Sequence, residues 1–100
     1  MTIYISGPMK DVPNLNREMF AATAEILRER GYSVINPHDL TPARLPDESD
    51  AEFYERCMQI DLEALEKRCD SIALLPGWEA SKGACRELLR ALELGKKVMH

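Results

Sequence analysis

The sequence predicts an α/β fold: a doubly wound, Rossmann- or flavodoxin-like parallel sheet of about four strands, order 2-1-3-4, with helices on both faces. Three observations predict it. Short apolar or β-branched runs alternate with longer segments whose apolar residues recur at helical spacing. Most connections are short, so each helix must cross back over the sheet. Residues 70–75 (DSIALL) include a continuous apolar run, as a strand covered on both faces does.

The elements follow in order. Thr2–Ser6 (TIYIS) reads as a buried strand stopped by Gly7-Pro8. After the polar stretch 10–16, residues 17–30 place Phe20, Ala24 and Leu27 on one side of a helix, with Met19 and Ile26 one position off. Asn14 or Asn16 would cap it and Gly31 would end it. Residues 32–35 (YSVI) form a second strand, ended by Asn36-Pro37 because a proline cannot donate to a ladder. Residues 38–50 hold Pro42, Pro46 and Asp47 without periodicity and read as a surface loop over a pocket. Ser49 or Asp50 caps the next helix, with Phe53, Cys57, Ile60, Ala64 and Leu65 as its stripe to about Arg68. Asp70 opens the third strand and Pro76-Gly77 ends it. Ser81 caps a third helix to about Leu94 that buries Ala84, Leu88, Ala91 and Leu92, and residues 96–99 make a last short strand.

Composition bounds what such a domain does. One hundred residues suit one domain, so residues 1–100 are read as a single unit. A net charge of −4 with dispersed acids argues against a protein that grips a nucleic-acid duplex through many phosphates, while a mononucleotide remains in range. Cys57, Cys69 and Cys85 are odd in number and lack CxxC spacing, which fits reduced, buried thiols and a cytoplasmic protein. No basic leader or apolar stretch of about 18 residues suggests secretion or membrane insertion. The two histidines are distant from each other and not spaced with carboxylates, so no metal site and no cofactor is expected.

In a sheet of this order ligands bind outside the carboxyl ends of the strands, where the first and third strands are neighbours. That rule selects residues 6–10, the loop after Asn36, and residues 76–83. The strongest local pattern is LPGWEASKGACRE, residues 75–87: a strand end, a turn, Ser-x-Gly at a helix start, and Glu87 about one turn inside. The unpaired N–H groups at Ser81, Lys82, Gly83 and Ala84 suit a phosphate, with Gly83 allowing close approach; ordinary capping by Ser81 explains the same residues. Glu87 falls between Ala84 and Ala91, close to the apolar side, and the helix dipole would favour its ionised form. Trp78 is placed to stack on a base or to pack as a lid, His38 to line the pocket, and Lys10 and Arg17 to reach a phosphate.

The opening IYISGPM, Asp61 in the middle helix, CDSIALLPGWE, and SKGACRE followed by ALELGKKV together resemble the nucleoside 2-deoxyribosyltransferase superfamily. The likeness is greatest to its small members with a YISGPM-like first strand and LPGWE, and it spans nearly the whole chain. The resemblance implies that Glu87 is the glutamate that attacks C1′ of the sugar and forms a glycosyl-enzyme intermediate. Asp61 would handle the proton at the departing base, Tyr4 would stand beside Glu87, and Ser6, Gly7, Pro8 and Met9 would border the sugar. The chemistry is that of a retaining glycosidase, in which one carboxylate meets positive charge at the anomeric carbon and another group protonates the leaving atom. Base-exchanging transferases of this superfamily carry an acid six positions before the glutamate; here that position is Ser81. A serine there is similar to the 2′-deoxynucleoside 5′-phosphate N-hydrolases, where Ser-x-Gly grips the 5′-phosphate, so the expected substrate is a nucleoside monophosphate and the acceptor water. Base exchange, or a nucleotide-binding sensor without turnover, are the alternatives. A domain this small leaves its pocket open, so a homodimer or higher homo-oligomer is expected.

Overall fold

The computed structural model describes residues 1–100. Strands β1 (Thr2–Ser6), β2 (Ser33–Ile35), β3 (Ser71–Leu74) and β4 (Lys97–Met99) form one sheet in the order β2-β1-β3-β4. All pairs are parallel: Tyr4 lies opposite Ile35 on one side and Ile72 on the other, and Ala73 lies opposite Met99. Helices α1 (Arg17–Glu29), α2 (Asp50–Arg68) and α3 (Lys82–Glu93) supply the crossovers. The chain steps from β1 to β2, reverses past β1 to β3, and continues to β4. Right-handed crossovers with one reversal put α1 on one face and α2 and α3 on the other. The two cores follow that division, with Ile3, Ile5, Phe20, Ala24 and Leu27 in one and Tyr4, Ala64, Leu65, Ile72 and Ala91 in the other. Alternation along β1 therefore sends Tyr4 and Ser6 toward α2 and α3.

Local chemistry explains where the elements begin and end. Ser49 and Glu52 form a reciprocal cap at the start of α2: Ser49 Oγ accepts from the Glu52 N–H at 3.1 Å and Glu52 Oε1 from the Ser49 N–H at 2.9 Å. Ser81 Oγ caps α3 by accepting from the Ala84 N–H at 3.2 Å. Neither Asn14 nor Asn16 caps α1. Residues 14–16 instead make a left-handed turn, with φ of 54°, 53° and 60°, and Asn16 Nδ2 donates to the Pro8 carbonyl at 2.9 Å. Asp70 does more than open a strand, since its Oδ2 accepts from the Thr2 N–H at 2.9 Å and joins the starts of β1 and β3. Residues 32 and 75 lie just outside β2 and β3.

Several expected core positions are corrected. Met19 and Ile26 stay exposed, because they lie on the shoulder of the α1 stripe and no second helix stands beside α1 on that face. Leu92 is exposed for the same kind of reason at the outer side of α3, and Leu88 is half-buried. In α2 the fully buried positions are Met58, Ala64 and Leu65, with Phe53, Cys57 and Ile60 half-buried. The guanidinium groups of Arg44 and Arg56 lie over the Phe53 ring. Arg56 also donates to both oxygens of Glu48 and to the Ala43 carbonyl, anchoring the loop before α2 on that helix's first turns. Of the three free thiols only Cys69 is buried; Cys57 is half-buried and Cys85 exposed. No helix is long and apolar enough to cross a membrane.

Candidate active site

Glu87 sits at the sixth position of α3, on the side that faces the sheet, with 5% of its surface exposed. Ala84 and Ala91, one turn to either side, are small enough to let α3 lie close to β1 and β3. The two residues of β1 that point the same way meet the carboxylate. The Tyr4 hydroxyl donates to Oε2, and the Ser6 hydroxyl donates to Oε1 at 2.6 Å. Tyr4 and Ser6 are themselves fully buried, so both oxygens of a buried acid are satisfied by protein groups. Ser6, expected to border the sugar, is seen holding Glu87.

Asp61, on α2, completes the group from the other side. Burial pushes its carboxyl up to about 7, with the charge of Glu87 adding to the rise and the Tyr4 hydroxyl opposing it. Burial likewise pushes Glu87 up to about 7, against the opposing hydrogen bonds from Ser6 and Tyr4 and the nearby Arg86 charge. Position near a helix start therefore does not keep Glu87 fully ionised; removal from water outweighs it. Burial, then the charges of Glu87 and Asp61, raise the Tyr4 phenol well above its ordinary value, so Tyr4 stays a donor. Two acids that burial pushes up to about 7 and that share one phenol titrate as a coupled pair rather than singly. Both hydroxyls donate to Glu87, which favours the ionised form there relative to Asp61.

The other expected residues divide. Trp78 lies in a short turn (Trp78–Ala80) and packs on the core that contains Tyr4. A Cβ on Gly7 would stand 2.7 Å from Leu75 Cβ, so Gly7 serves the contact between the ends of β1 and β3. The half-buried Pro8 leans on Gly77, while Met9 packs with the core under α1, on the opposite face from Glu87. Gly83 faces α2: a Cβ there would lie 3.2 Å from Met58 Cε and 3.6 Å from the Tyr54 hydroxyl. Its small size thus has a packing cause. The Ser81 oxygen already accepts from Ala84, leaving its O–H free to donate. His38 stacks edge-on against Phe20, beneath α1, with Nε2 buried and unpartnered; burial and then Arg17 lower its pKa. Lys10 and Arg17 are exposed.

The site is closed. A cavity of about 290 Å³ lies between Leu40 and the Ile60–Arg68 side of α2, and another of about 420 Å³ lies under the loop at Leu45–Glu48. Glu87, Tyr4 and Ser6 line neither of these cavities and are buried, at 5%, 0% and 0% exposure. No three His, Cys, Asp or Glu side chains converge as metal ligands would.

The whole chain, residues 1–100, matches the family described as Domain of unknown function (DUF4406). It belongs to that family. No curated protein matches the chain.

Within this DUF4406 domain the Glu87, Asp61 and Tyr4 arrangement can present a carboxylate to an electrophilic carbon and a proton to a leaving group, from two neighbouring helices on one face of the sheet. Three further residues were not singled out by sequence reasoning. Met58 fills the space opposite Gly83, and Arg86 lies near Glu87 while pairing with Glu55 at 2.8 Å. Asn36, 8% exposed beyond β2, accepts from the His38 N–H through Oδ1 at 3.1 Å. The Asn-Pro pair at a strand end was the only signal for Asn36.

Proposed function

We propose that the domain is an N-glycosidase of (deoxy)nucleoside 5′-monophosphates, with Glu87 as nucleophile and Asp61 as acid, as in the nucleoside 2-deoxyribosyltransferase superfamily it resembles. The observation that carries the reading is the buried Glu87 carboxylate held by Tyr4 and Ser6 beside a second acid of raised pKa. In the first step Glu87 Oε attacks C1′, the C1′–N bond breaks, and the Asp61 proton goes to the base nitrogen. In the second, water attacks C1′, its proton passes to Asp61, and Glu87 leaves as carboxylate. Nucleophile, acid and water suffice, so no cofactor is required.

The start of α3 would hold the 5′-phosphate. The Lys82 and Gly83 N–H groups lack partners in the first turn, and the Ser81 O–H is free to donate. Gly83 and Glu87 stand four residues apart on α3, about 6 Å along its axis, comparable with the span from phosphate to anomeric carbon. Trp78 would cover the base. A second copy would shield the site, and the cytoplasm is the compartment that suits three unpaired thiols.

The closure of Glu87 favours a second reading, a nucleotide-binding sensor that keeps the residues and does not turn over. One experiment separates the two: incubation with a panel of nucleosides and 5′-monophosphates, followed by assay of free base. The glycosidase reading expects base from monophosphates, a bell-shaped pH dependence centred near neutrality, and loss of at least about a thousandfold in Glu87→Gln. Thermal stabilisation by a monophosphate without base release would support the sensor. Free-base exchange without hydrolysis would make the protein a transferase.

A further inference from the structure

One side of α3 is left without a partner. Ala84, Glu87 and Ala91 face the sheet, while Arg86 and Arg90 turn toward α2, where they pair with Glu55 at 2.8 Å and Glu66 at 3.1 Å. The remaining side carries Cys85, Leu89 and Leu92, at i, i+4 and i+7, with Lys82 at its start and Glu93 at its end. Leu89 and Leu92 are the most exposed large apolar side chains of the molecule, at 62% and 58%. Lys82 and Glu93 are exposed and make no ion pair within the chain.

The charges choose the occupant. Lys82 and Glu93 bracket the apolar stripe, and the midpoint between them falls between residues 87 and 88. A second α3 laid antiparallel about a two-fold axis there brings each Lys82 against Glu93 of the partner subunit, with the leucines between. A parallel pairing sets like charges together at both ends. Antiparallel helix dipoles favour the same choice. The neighbouring edge strand β4 is short and carries exposed Lys97, which disfavours association through strand pairing.

We infer that Cys85, Leu89 and Leu92 form the seam of a two-fold homodimer, α3 packed antiparallel on α3 and closed at each end by Lys82 against Glu93. This gives the proposed oligomer a surface, and it stands whether or not Glu87 turns over a substrate.

The test is the mass of the full chain in solution, by sedimentation equilibrium at micromolar concentration, with circular dichroism as a check on folding. The wild type is expected to be dimeric. Leu89→Glu should give monomer, and Ile26→Glu, at an exposed apolar position of α1, should remain dimeric. Lys82→Glu and Glu93→Lys should each weaken association at least about tenfold, and the double variant should recover it. Both reversals place favourable charge at the ends of α3, so they do not weaken the helix itself. A monomeric wild type, a dimeric Leu89→Glu, a monomeric Ile26→Glu, or a double variant no tighter than the single ones overturns the inference.

Discussion

At Tyr4 a buried phenol stands between two carboxyls, and its donation to Glu87 does two jobs. It satisfies an oxygen that water cannot reach, and it opposes the rise that burial imposes on the Glu87 pKa. Tyr4→Phe keeps the ring and removes the donor, leaving Ser6 as the single partner of a buried carboxylate. Stability should fall by about 1–3 kcal/mol at pH 8, where Glu87 is charged, and by less at pH 5, where it is protonated. Urea unfolding at the two pH values checks this, and an equal loss at both would show that Tyr4 acts through packing alone. Gly83 shows the converse. It looked like a phosphate cradle, and its nearest neighbour beyond the helix is Met58.

Among the elements, the ends of β1 and β3 and the start of α3 bear the closest contacts. Gly7 and Gly83 separate two kinds of closeness. At Gly7 a Cβ meets Leu75 Cβ at 2.7 Å, an atom fixed to the backbone, so Gly7→Ala must push β1 and β3 apart and should cost about 1–3 kcal/mol. At Gly83 the obstacle is the end of a flexible methionine at 3.2 Å, and alanine gains about 1 kcal/mol of helix propensity over glycine. Gly83→Ala should therefore be close to neutral in a denaturant titration. Weaker binding of a nucleoside monophosphate to a Gly83→Ala protein of unchanged stability would mark the α3 start as the phosphate site. Unchanged binding would remove Gly83 from it.

For the molecule as a whole, the buried acids set how stability depends on pH. Glu87 has a folded value of about 7, above the 4.5 ordinary for a glutamate, so the folded state holds more protons than the unfolded chain between those values. Its contribution is fully present below about 4.5 and is lost as pH rises through 7; Asp61 acts in the same direction. Glu48 acts oppositely. The hydrogen bond from Arg56 holds it down to about 2, so its contribution is lost as pH falls below the ordinary carboxylate range. The wild type should lose up to about 3 kcal/mol between pH 5 and pH 8 through Glu87, and Glu87→Gln should flatten most of that slope. Chemical denaturation across the range measures it, and a slope unchanged in Glu87→Gln would show that the carboxyl is not titrating in the fold.

The sequence by itself determined the order of elements, the parallel sheet and its strand order, and the capping at Ser81, and it narrowed the cap of α2 to Ser49 or Asp50. Those features rest on periodicity, turn residues and crossover handedness, which act over a few residues or on the chain's path as a whole. Its pattern also put Glu87 near the buried side of its helix, since Ala84 and Ala91 flank it. The resemblance already set Tyr4, 83 residues away, beside that carboxylate; only the tertiary structure decided that Ser6, 81 residues away, also holds it, and that Met9 and His38 belong to the opposite face. It decided as well that Glu87 is sealed and its pKa raised. Spacing along one helix says which residues share a side, whereas the partner of a side chain depends on the register between a strand and a helix far apart in the chain. That register is set by the packing of both cores at once.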